Sequence, residues 1–274
     1  MFSLDFMLEA YRDKTVVVLG HTGFKGSWLS IWLSLIGAKV IGISLAPPSH
    51  PCHFCASGLA DQIIDLRIDL RNYRELVDAI QSAQPDVIFH LAAQALVHRA
   101  YDSPTETFAV NVLGSVHVLE ALRGLNKTCN AVIITSDKCY ENVEWVWGYR
   151  ETDRLGGKDP YSASKAAAEL AIQSYIRSYF SDPNGPVRIA IARAGNVIGG
   201  GDWADNRIVP DCVRAWSVGN AVTLRNPEAT RPWQHVLEPL SGYLSLAANL
   251  TTDSSIHGEA FNFGPPAQQN KTVL

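Results

Sequence analysis

The sequence lacks the features of a membrane or disulfide-stabilised protein. No apolar run among its 274 residues approaches the roughly 20 that a membrane-spanning helix requires. Residues 1–5 lack a basic stretch followed by an apolar one, which argues against a secretory signal. The five cysteines are odd in number and irregularly spaced, which argues against a disulfide framework. We therefore expect a soluble cytoplasmic protein that does not contact a membrane.

The sequence also lacks an excess of positive charge. It contains 23 Lys and Arg against 27 Asp and Glu, which gives a net charge of −4. Proteins that bind nucleic acids usually carry a basic surface, so we expect no nucleic-acid partner. Hydrophobic residues make up 47% of the chain, enough for one large core or two modest ones.

The sequence has few groups of His and Cys residues with the spacing of metal ligands, and we find them in one short stretch. His50, Cys52, His53 and Cys55 lie close together there, with Cys-x-x-Cys spacing. A second pair of ligands does not follow, and the stretch lies in a predicted loop at 46–60, so we predict no metal site. Metal binding by this loop is the alternative, and the role of the two cysteines stays open.

A glycine-rich turn follows the first predicted strand. Thr15–Leu19 is a short, mostly β-branched run typical of a buried strand, and a helical pattern covers Ser27–Leu35. Between them the glycines have Gly-x-x-Gly-x-x-Gly spacing rather than Gly-x-Gly-x-x-Gly. A strand, a glycine turn and a helix N-terminus together bind the pyrophosphate of a dinucleotide, although an ordinary tight turn is the alternative. The predicted cofactor contacts are Gly20, Thr22, Gly23, Phe24, Lys25 and Gly26.

A Tyr-x-x-x-Lys pair begins a later predicted helix. Tyr161 and Lys165 are four residues apart, so their side chains share one face of that helix. An ammonium group favours the phenolate of a neighbouring tyrosine, whose free pKa is about 10. The pair can then take a proton from a hydroxyl group while a hydride leaves the carbon. The alternative is a surface pair on an amphipathic helix, and the upstream glycine turn favours the functional interpretation.

Strands and helices alternate along the rest of the chain. Further strands are predicted at 39–43, 64–70, 86–91, 130–135 and 187–192. This alternation predicts an α/β fold with a doubly wound parallel sheet, Rossmann-like, whose active site lies beyond the carboxyl ends of the strands. We place a dinucleotide-binding domain at 1–193 and a smaller substrate-binding region at 194–274. Ser44 and Leu45 stand where NAD sites often carry a carboxylate, so these residues leave the choice between NAD and NADP open.

The motifs together resemble the extended short-chain dehydrogenase/reductase superfamily. That superfamily places a Ser or Thr just before the Tyr-x-x-x-Lys helix, and Ser136 follows the strand at 130–135 here. Asp69 would contact the adenine of the cofactor or, alternatively, cap the helix that begins near Asn72. Asn111 would be a structural residue or a mid-helix polar group bonded to backbone. The cofactor contacts that the resemblance adds are Asp69, Leu70, Ala92, Ala93, Gln94, Asn111 and Thr135, besides Tyr161 and Lys165.

Longer blocks resemble one family within it, the CDP-glucose 4,6-dehydratases. The blocks are 135–140, 144–151, 193–203, 225–227 and 231–240. The resemblance implies NAD as cofactor and CDP-D-glucose as substrate. It implies that a hydride leaves carbon 4, that water is lost, and that the hydride returns to carbon 6. The product, CDP-4-keto-6-deoxy-D-glucose, serves deoxysugar biosynthesis, as for lipopolysaccharide O-antigen. The family continues beyond the position of Leu274, which predicts a truncated substrate region.

The resemblance also implies roles for single residues. Ser136 would orient the sugar hydroxyl, Asp137 would be the acid and Lys138 the base, although the last two also suit a solvated charge pair at a strand end. Lys138 has an ordinary pKa of about 10.4, so it can act as a base only if burial and neighbouring cations lower that pKa. Guanidinium groups suit a diphosphate. The predicted substrate contacts are Gln94, Asn196, Trp203, Arg207, Arg231 and Trp233.

Two other functions stay open at this point. A nucleotide-sugar 4-epimerase uses the same Tyr161 and Lys165 but needs no acid–base pair after Ser136, so Asp137 and Lys138 favour a dehydratase. A non-catalytic cofactor-binding protein is the alternative from another class, since the chain stops early. Relatives commonly dimerise through two helices beside the sheet, so the resemblance implies a homodimer.

Overall fold

A parallel sheet of seven strands forms the centre of the molecule. The computed structural model describes residues 4–274, and residues 1–3, part of the predicted lead-in, lie outside the described chain. The first elements are α1 (Leu4–Tyr11), β1 (Thr15–Leu19), α2 (Phe24–Leu35), β2 (Lys39–Ser44), α3 (His53–Ala56), β3 (Ile64–Arg67), α4 (Tyr73–Ala83) and β4 (Val87–His90). The middle of the chain forms α5 (Val97–Asp102), α6 (Pro104–Phe108), α7 (Gly114–Arg123), β5 (Cys129–Ile134) and α8 (Pro160–Tyr179). The last elements are β6 (Val187–Ala194), β7 (Val197–Ile198), α9 (Ile208–Ser217), β8 (Thr230–Arg231), β9 (Gln234–His235), α10 (Leu237–Asn249), β10 (Ala260–Phe263) and β11 (Lys271–Thr272).

The strand order is that of a doubly wound sheet. From edge to edge the order is β10-β6-β5-β4-β1-β2-β3, and all the neighbouring strands are parallel. The order reverses between β1 and β4, and sheets of this kind bind ligands at the carboxyl ends of the strands beside that reversal. The Rossmann-like fold predicted from the sequence is therefore confirmed. No helix in the described part of the chain is both long and apolar enough to cross a membrane.

Alternate residues of β1 build two separate cores on opposite faces of the sheet. Val16 and Val18 pack with residues of α1, α2 and α10, whereas Val17 and Leu19 pack with residues of α4, α7 and α8. All four side chains are fully buried. Helices on both faces explain why the strand is a continuous apolar run rather than an alternating one. The same packing holds the N-termini of α2 and α8 at the carboxyl edge of the sheet.

The chain after residue 193 contributes to the same sheet. Strand β10 lies beside β6, with Ala260 opposite Ile191, and α10 packs in one of the two cores. Two small pairs, β7 with β9 and β8 with β11, form the remaining β structure of this region. The domain boundary at residue 193 stays a prediction, and part of the chain beyond it lies in the layers of the Rossmann fold.

The segment at 46–60, predicted to be a loop, contains a short helix. Helix α3 has four residues, and a 3-10 turn follows at Leu59–Asp61. Phe54 and Leu59 are buried in a small cluster against Ile31 and Ile63. A helix this short has no repeating apolar pattern, so the sequence does not reveal it.

Candidate active site

The glycine turn leaves backbone exposed at the start of α2. Gly20 has a φ of +91°, and a Cβ there would lie 2.8 Å from the backbone nitrogen of Ala92. A Cβ at Gly26 would overlap the carbonyl oxygen of Gly20. Gly23 is the N-cap of α2 and provides no side-chain cap, so the first N–H groups of the helix stay available for an anion. The turn therefore has the backbone geometry that a dinucleotide pyrophosphate requires.

The other residues of the turn contact its surroundings. The hydroxyl of Thr22 lies 2.8 Å from that of Ser44 and donates to the carbonyl of Leu45 at 3.1 Å, which ties the turn to the end of β2. The ring of Phe24 lies beside Gly199, where a Cβ would be 3.2 Å from it. Burial, with the charges of Arg207 and Lys165, lowers the pKa of Lys25 to about 8. Lys25 therefore faces the same space as the Tyr-x-x-x-Lys lysine.

Ser136 connects the end of β5 to the helix that carries Tyr161. Its hydroxyl donates to the Asp137 carboxylate at 3.0 Å and accepts the N–H of Lys138 at 3.2 Å, which caps a 3-10 turn at Asp137–Cys139. A third hydrogen bond joins the side chains of Ser136 and Tyr161. Asp159 caps α8 by accepting the N–H of Ser162 at 3.0 Å, which sets the first turn of that helix. The structure thus brings Ser136, Asp137 and Tyr161 together, as the sequence predicts.

Burial controls the protonation of the tyrosine and the lysine. Burial raises the pKa of Tyr161 to about 12, although the hydrogen bond with Ser136 acts in the opposite direction and lowers it. Burial also lowers the pKa of Lys165 to about 8. The expectation that Lys165 lowers the pKa of Tyr161 is therefore not met in the chain alone, because the cost of burying a phenolate outweighs nearby positive charge. Tyr161 is a neutral phenol here, and a further positive charge is needed before it can act as a base near neutral pH.

Asp137 and Lys138 differ in their surroundings. The Asp137 carboxylate faces Gly195, where a Cβ would lie 3.3 Å from Oδ2, and its charge contributes to the raised pKa of Tyr161. Lys138 is exposed, in contrast to the burial that its role as a base requires. The reason is the 3-10 turn, in which successive side chains point in different directions. The carboxylate therefore lies in the site, whereas the lysine lies at its surface.

A π-helical turn at Ala109–Leu113 positions Asn111 beneath the site. The amide of Asn111 accepts the N–H of Gln94 at 2.8 Å and donates to the carbonyl of Gln94 at 3.1 Å and to the hydroxyl of Ser164 at 2.9 Å. It thus connects the loop after β4 with α8, which agrees with the predicted structural role. The extra residue of the π turn, which lies where the sequence predicts Asn111 in the middle of a helix, directs this amide inward.

Two predicted ligand residues have side chains that are already bonded within the protein. Gln94 is buried, donates to the hydroxyl of Thr107 at 2.9 Å and accepts the N–H of Leu96 at 2.6 Å. Thr135 donates its hydroxyl to Glu169 at 2.5 Å. Both side chains are thus directed into the protein, because buried polar groups pair wherever a partner is within reach. The contact of these two residues with a ligand stays a prediction.

The predicted adenine-side residues flank β3 and β4. Asp69 does not cap α4, whose N-cap is Asn72, and instead accepts the backbone N–H of Arg71 at 2.9 Å and its guanidinium. That hydrogen-bonded pairing with Arg71 lowers the pKa of Asp69. Leu70 packs against Gly114, and Ala92 packs against Gly20. Because these contacts are close, a ligand at Leu70 and Ala92 has room only along the backbone. Ala93 follows Ala92 in the same loop and is half-buried.

The predicted substrate residues lie in two segments that meet over the carboxyl edge. The carbonyl of Asn196 accepts the N–H of Gln234 at 3.0 Å, next to the β7–β9 pair. Arg207 donates to Asp202 at 2.7 Å, and its charge lowers the pKa values of both Lys25 and Tyr161. Arg207 is therefore close to the predicted catalytic residues.

The remaining three predicted substrate residues are half-buried on the same segments. The backbone carbonyl of Trp203 accepts a hydrogen bond from Arg214. The guanidinium of Arg231 donates to the carbonyl of Thr230 at 2.7 Å, and Trp233 follows two residues later. None of these bonds occupies the indole rings, which stay available to line a pocket.

Sequence reasoning missed the buried polar layer beneath the site. His90, at the end of β4, lies 3.1 Å from the hydroxyl of Ser115, and burial together with the charge of Lys165 lowers its pKa to about 3. Glu169 and Arg193 form an ion pair there, and neither side chain is accessible. Two features of the sequence could have revealed this layer. His90 is a polar residue at the end of an apolar strand, and Glu169 lies one turn after Lys165 on the same helix.

Comparison with known proteins agrees with this geometry. The model of the NAD dependent epimerase/dehydratase family matches residues 16–264. The CDP-glucose 4,6-dehydratase of Salmonella typhimurium is 47% identical over 266 residues, which cover 96% of this chain and 74% of that protein. That likeness confirms the resemblance predicted from the sequence blocks.

Two solved structures share the fold. An epimerase from Methanothermobacter thermautotrophicus superimposes with a TM-score of 0.82 at 24% identity, covering 98% of this chain and 76% of that one. A dTDP-glucose 4,6-dehydratase from Streptomyces venezuelae, DesIV, superimposes with a TM-score of 0.76 at 21% identity, covering 91% and 75%. With a family model that spans most of the chain, the conclusion is direct: this chain belongs to the NAD dependent epimerase/dehydratase family.

Proposed function

We propose that this chain converts CDP-D-glucose to CDP-4-keto-6-deoxy-D-glucose and water, with NAD as a tightly held cofactor, in deoxysugar biosynthesis such as that of lipopolysaccharide O-antigen. The observation that carries the proposal is the position of Asp137, between Ser136 and Gly195 and beside Tyr161. A carboxyl group there can protonate a leaving hydroxyl, a step that dehydration requires and epimerisation does not. The 47% identical dehydratase supports the choice of substrate.

The glycine turn supports a dinucleotide cofactor, and the matching family model, that of NAD dependent enzymes, supports NAD. A side chain at Gly20 or Gly26 would occupy the space against the backbone, and the uncapped N-terminus of α2 presents N–H groups to an anion. Thr22, Phe24 and Lys25 belong to the same turn. We infer that the site extends toward the adenosine along Asp69, Leu70, Ala92 and Ala93. When bound, NAD accepts a hydride from the substrate and returns it.

Tyr161, Lys165 and Ser136 are the residues that we propose for oxidation at carbon 4. Tyr161 takes the proton of the hydroxyl on carbon 4, and Ser136 holds that hydroxyl in line with the phenol. Lys165 is buried one turn further along α8, and its pKa of about 8 leaves it largely protonated at neutral pH. Its charge and that of Arg207 favour the phenolate, and with NAD bound the oxidised nicotinamide would supply the further positive charge that deprotonation requires.

Asp137 and Lys138 are the residues that we propose for the loss of water. Lys138, in its neutral form, removes the proton from carbon 5, which the neighbouring ketone has made acidic. Asp137, in its protonated form, gives its proton to the hydroxyl on carbon 6 as it leaves, and Lys138 returns a proton to carbon 5 when carbon 6 is reduced. Lys138 is exposed in the chain alone, so its desolvation depends on the bound substrate covering it. Asp137 already faces the enclosed side of the 3-10 turn.

For the nucleotide half of the substrate we propose the two segments over the carboxyl edge. Arg207 and Arg231, with Asn196, are placed to bind the diphosphate, for which planar guanidinium groups are well suited. Trp203 and Trp233 would line the base and sugar pocket. Gln94 acts through the backbone that it positions, since its own amide is bonded to Thr107 and Leu96.

We also propose a homodimer in the cytoplasm. Helices α5 and α6 and the π turn pack against α8, and these elements carry several exposed large apolar residues. Among them are Tyr101, Phe108, Leu113 and Leu170, of which Leu170 is 58% exposed. Exposed apolar patches of this kind mark protein interfaces. All five cysteines lie in the described chain and are free thiols, the usual state in a reducing compartment.

Light scattering of the purified protein tests the dimer. Leu170→Glu should shift the protein toward the monomer, whereas Leu35→Glu should not, since Leu35 is 80% exposed on the other face of the sheet. A wild-type monomer at all concentrations would contradict the proposal.

The activity is tested by incubating purified protein and NAD with CDP-D-glucose in deuterated water. A dehydratase yields a product that is one water lighter and carries one solvent deuterium at carbon 5, as measured by mass spectrometry and NMR. UDP-glucose and dTDP-glucose serve as matched substrates for the choice of base. A product of unchanged mass and inverted carbon 4 would indicate an epimerase instead. Recovery of unchanged CDP-D-glucose, by protein that binds NAD, would indicate a cofactor-binding protein without this activity.

A further inference from the structure

Three sulfur and nitrogen ligands converge on the segment that joins β2 to β3. One ring nitrogen of His50 and the Sγ atoms of Cys52 and Cys55 all lie within 4.8 Å of one another. Around a tetrahedral zinc ion, with bonds of about 2.0–2.3 Å, neighbouring ligand atoms are roughly 3.5–3.8 Å apart. Small side-chain rotations therefore bring these three atoms to bonding distance. We propose that His50, Cys52 and Cys55 form a zinc site, in addition to the active site.

The start of α3, residues 52–55, forms a cysteine knuckle in which a backbone N–H is directed at one of the two sulfurs. Cys52 is the N-cap of α3, and its Sγ accepts the backbone N–H of Cys55 at 3.3 Å. The Cys-x-x-Cys spacing across this turn brings both sulfurs close to one ring nitrogen of His50. The three candidate ligand atoms are thus close together before a metal binds.

Neighbouring contacts hold the knuckle in place. Phe54 lies between the two cysteines and is buried, with its ring 5.4 Å from that of His21 and 5.0 Å from the guanidinium of Arg67. His53 stacks on Trp28 at 4.5 Å and lies 2.8 Å from the hydroxyl of Ser27. His53 therefore anchors α3 to α2 and is not a metal ligand.

The ligand types favour zinc over hard cations. Two thiolates and an imidazole are typical of Zn²⁺, whereas Mg²⁺ and Ca²⁺ prefer oxygen ligands. Three protein ligands leave a fourth position for solvent or another ligand. Cys52 is buried, whereas His50 and Cys55 are exposed, so a metal ion can enter from the solvent side.

A redox disulfide is the other chemistry that Cys-x-x-Cys spacing allows, and the structure favours it less. A disulfide between Cys52 and Cys55 would not require His50, whose ring nitrogen lies within 4.8 Å of both sulfurs. A metal would displace the thiol protons, so its affinity should rise with pH.

The site would stabilise one wall of the nucleotide region. His53 also contacts the loop at Gly201, where a Cβ would lie 2.5 Å from the Cβ of His53. A metal bound at α3 would therefore restrain the segment between the glycine turn and the loop that carries Trp203. This effect concerns the order of the segment and does not depend on the proposed reaction.

Cobalt titration of the whole chain, free of any affinity tag, tests the proposal. The protein is reduced, treated with a chelator, desalted and titrated with Co²⁺ alone. We expect one Co²⁺ per chain with a thiolate-to-cobalt charge-transfer band and tetrahedral d–d bands, all lost when Zn²⁺ is added. Cys52→Ser and Cys55→Ser should each weaken binding by more than the roughly 10–100-fold that loss of an outer-shell contact costs. His50→Gln should weaken it while keeping the charge-transfer band, and Cys212→Ser should change nothing.

A measurement on the wild-type chain covers the case in which a variant does not fold. Alkylation followed by peptide mapping should show Zn²⁺ protecting Cys52 and Cys55 but leaving Cys212 reactive. Unprotected Cys52 and Cys55, or a Co²⁺ spectrum without charge transfer, would overturn the proposal. So would a Cys52–Cys55 disulfide that forms in preference to metal binding when both are offered under air. The readout is metal binding, so failure here leaves the proposed dehydratase activity unaffected.

Discussion

Glu169 and Arg193 form an ion pair that is completely enclosed beneath the active site. The Nε of Arg193 donates to Glu169 at 2.7 Å, and its Nη1 donates to the hydroxyl of Tyr140 at 2.7 Å. Glu169 also accepts the hydroxyl of Thr135 and lies one turn after Lys165 on α8. The pair therefore joins α8 to β5 and β6, the elements that carry Tyr161, Ser136 and the loop at Gly195.

Loss of this pair should destabilise the fold strongly. Glu169→Gln leaves the Arg193 guanidinium buried without its counter-charge, which typically costs about 3–5 kcal/mol. Denaturant unfolding measures the loss. Glu120→Gln is the matched control, because Glu120 and Arg123 form a surface pair whose loss should cost about 0–1 kcal/mol. Equal effects of the two variants would show that the buried pair has no special role.

Tyr161→Phe should abolish oxidation at carbon 4 and retain cofactor binding. The change removes the proton acceptor and little volume, and general base catalysis contributes roughly 10²–10⁴-fold. Single-turnover absorbance of reduced nicotinamide measures the oxidation, and calorimetry measures NAD affinity. Turnover near that of the wild type would exclude Tyr161 as the base.

Lys138 and Asp137 should affect different steps after that oxidation. Lys138→Met should still reduce the cofactor and then stall, with no solvent deuterium at carbon 5. Asp137→Asn should reduce the cofactor and exchange carbon 5 but release water slowly, because an amide is a poor proton donor. Deuterium incorporation measured by NMR separates the two variants. Exchange at the wild-type rate in Lys138→Met would assign the base to another residue.

The glycine turn offers a pair of variants that separate binding from folding. Gly23→Val should weaken NAD binding in a folded protein, since a Cβ there meets only the carbonyl oxygen of Gly20, at 3.3 Å. Gly26→Val should destabilise the protein itself, because its Cβ would overlap the backbone of Gly20 and His21. Calorimetry and thermal unfolding measure the two effects. Unchanged NAD affinity in Gly23→Val would mean that the turn does not contact the cofactor.

His90 should make the fold sensitive to acid. Burial and Lys165 lower its pKa from 6.5 to about 3, so between these values the unfolded chain binds a proton that the native chain excludes. Stability should therefore fall as the pH falls below 6.5, by on the order of 1 kcal/mol per pH unit from this residue. His90→Gln, which can keep a hydrogen bond to Ser115, should flatten the curve in urea unfolding at stepped pH. Parallel curves for the two proteins would contradict the assignment.

Local pattern was enough to predict the fold and the motif residues. Short apolar runs alternating with helical segments indicate a doubly wound sheet, and the glycine turn and the Tyr161–Lys165 spacing each lie within a single stretch of chain. Such features depend on neighbours in the sequence, so they can be read without the fold. The pairing of Ser136 with Tyr161 was predicted from the superfamily resemblance instead, because the two residues lie on different elements.

Contacts between distant segments could not be read in this way. The buried pairing of Glu169 with Arg193, the inward bonds of Thr135 and Gln94 and the raised pKa of Tyr161 all depend on which residues share a desolvated space. The exposure of Lys138 and the convergence of His50 on Cys52 and Cys55 depend on the direction in which one short turn points its side chains. Burial and side-chain direction are properties of the packed chain, because desolvation and hydrogen bonding act through space rather than along the sequence.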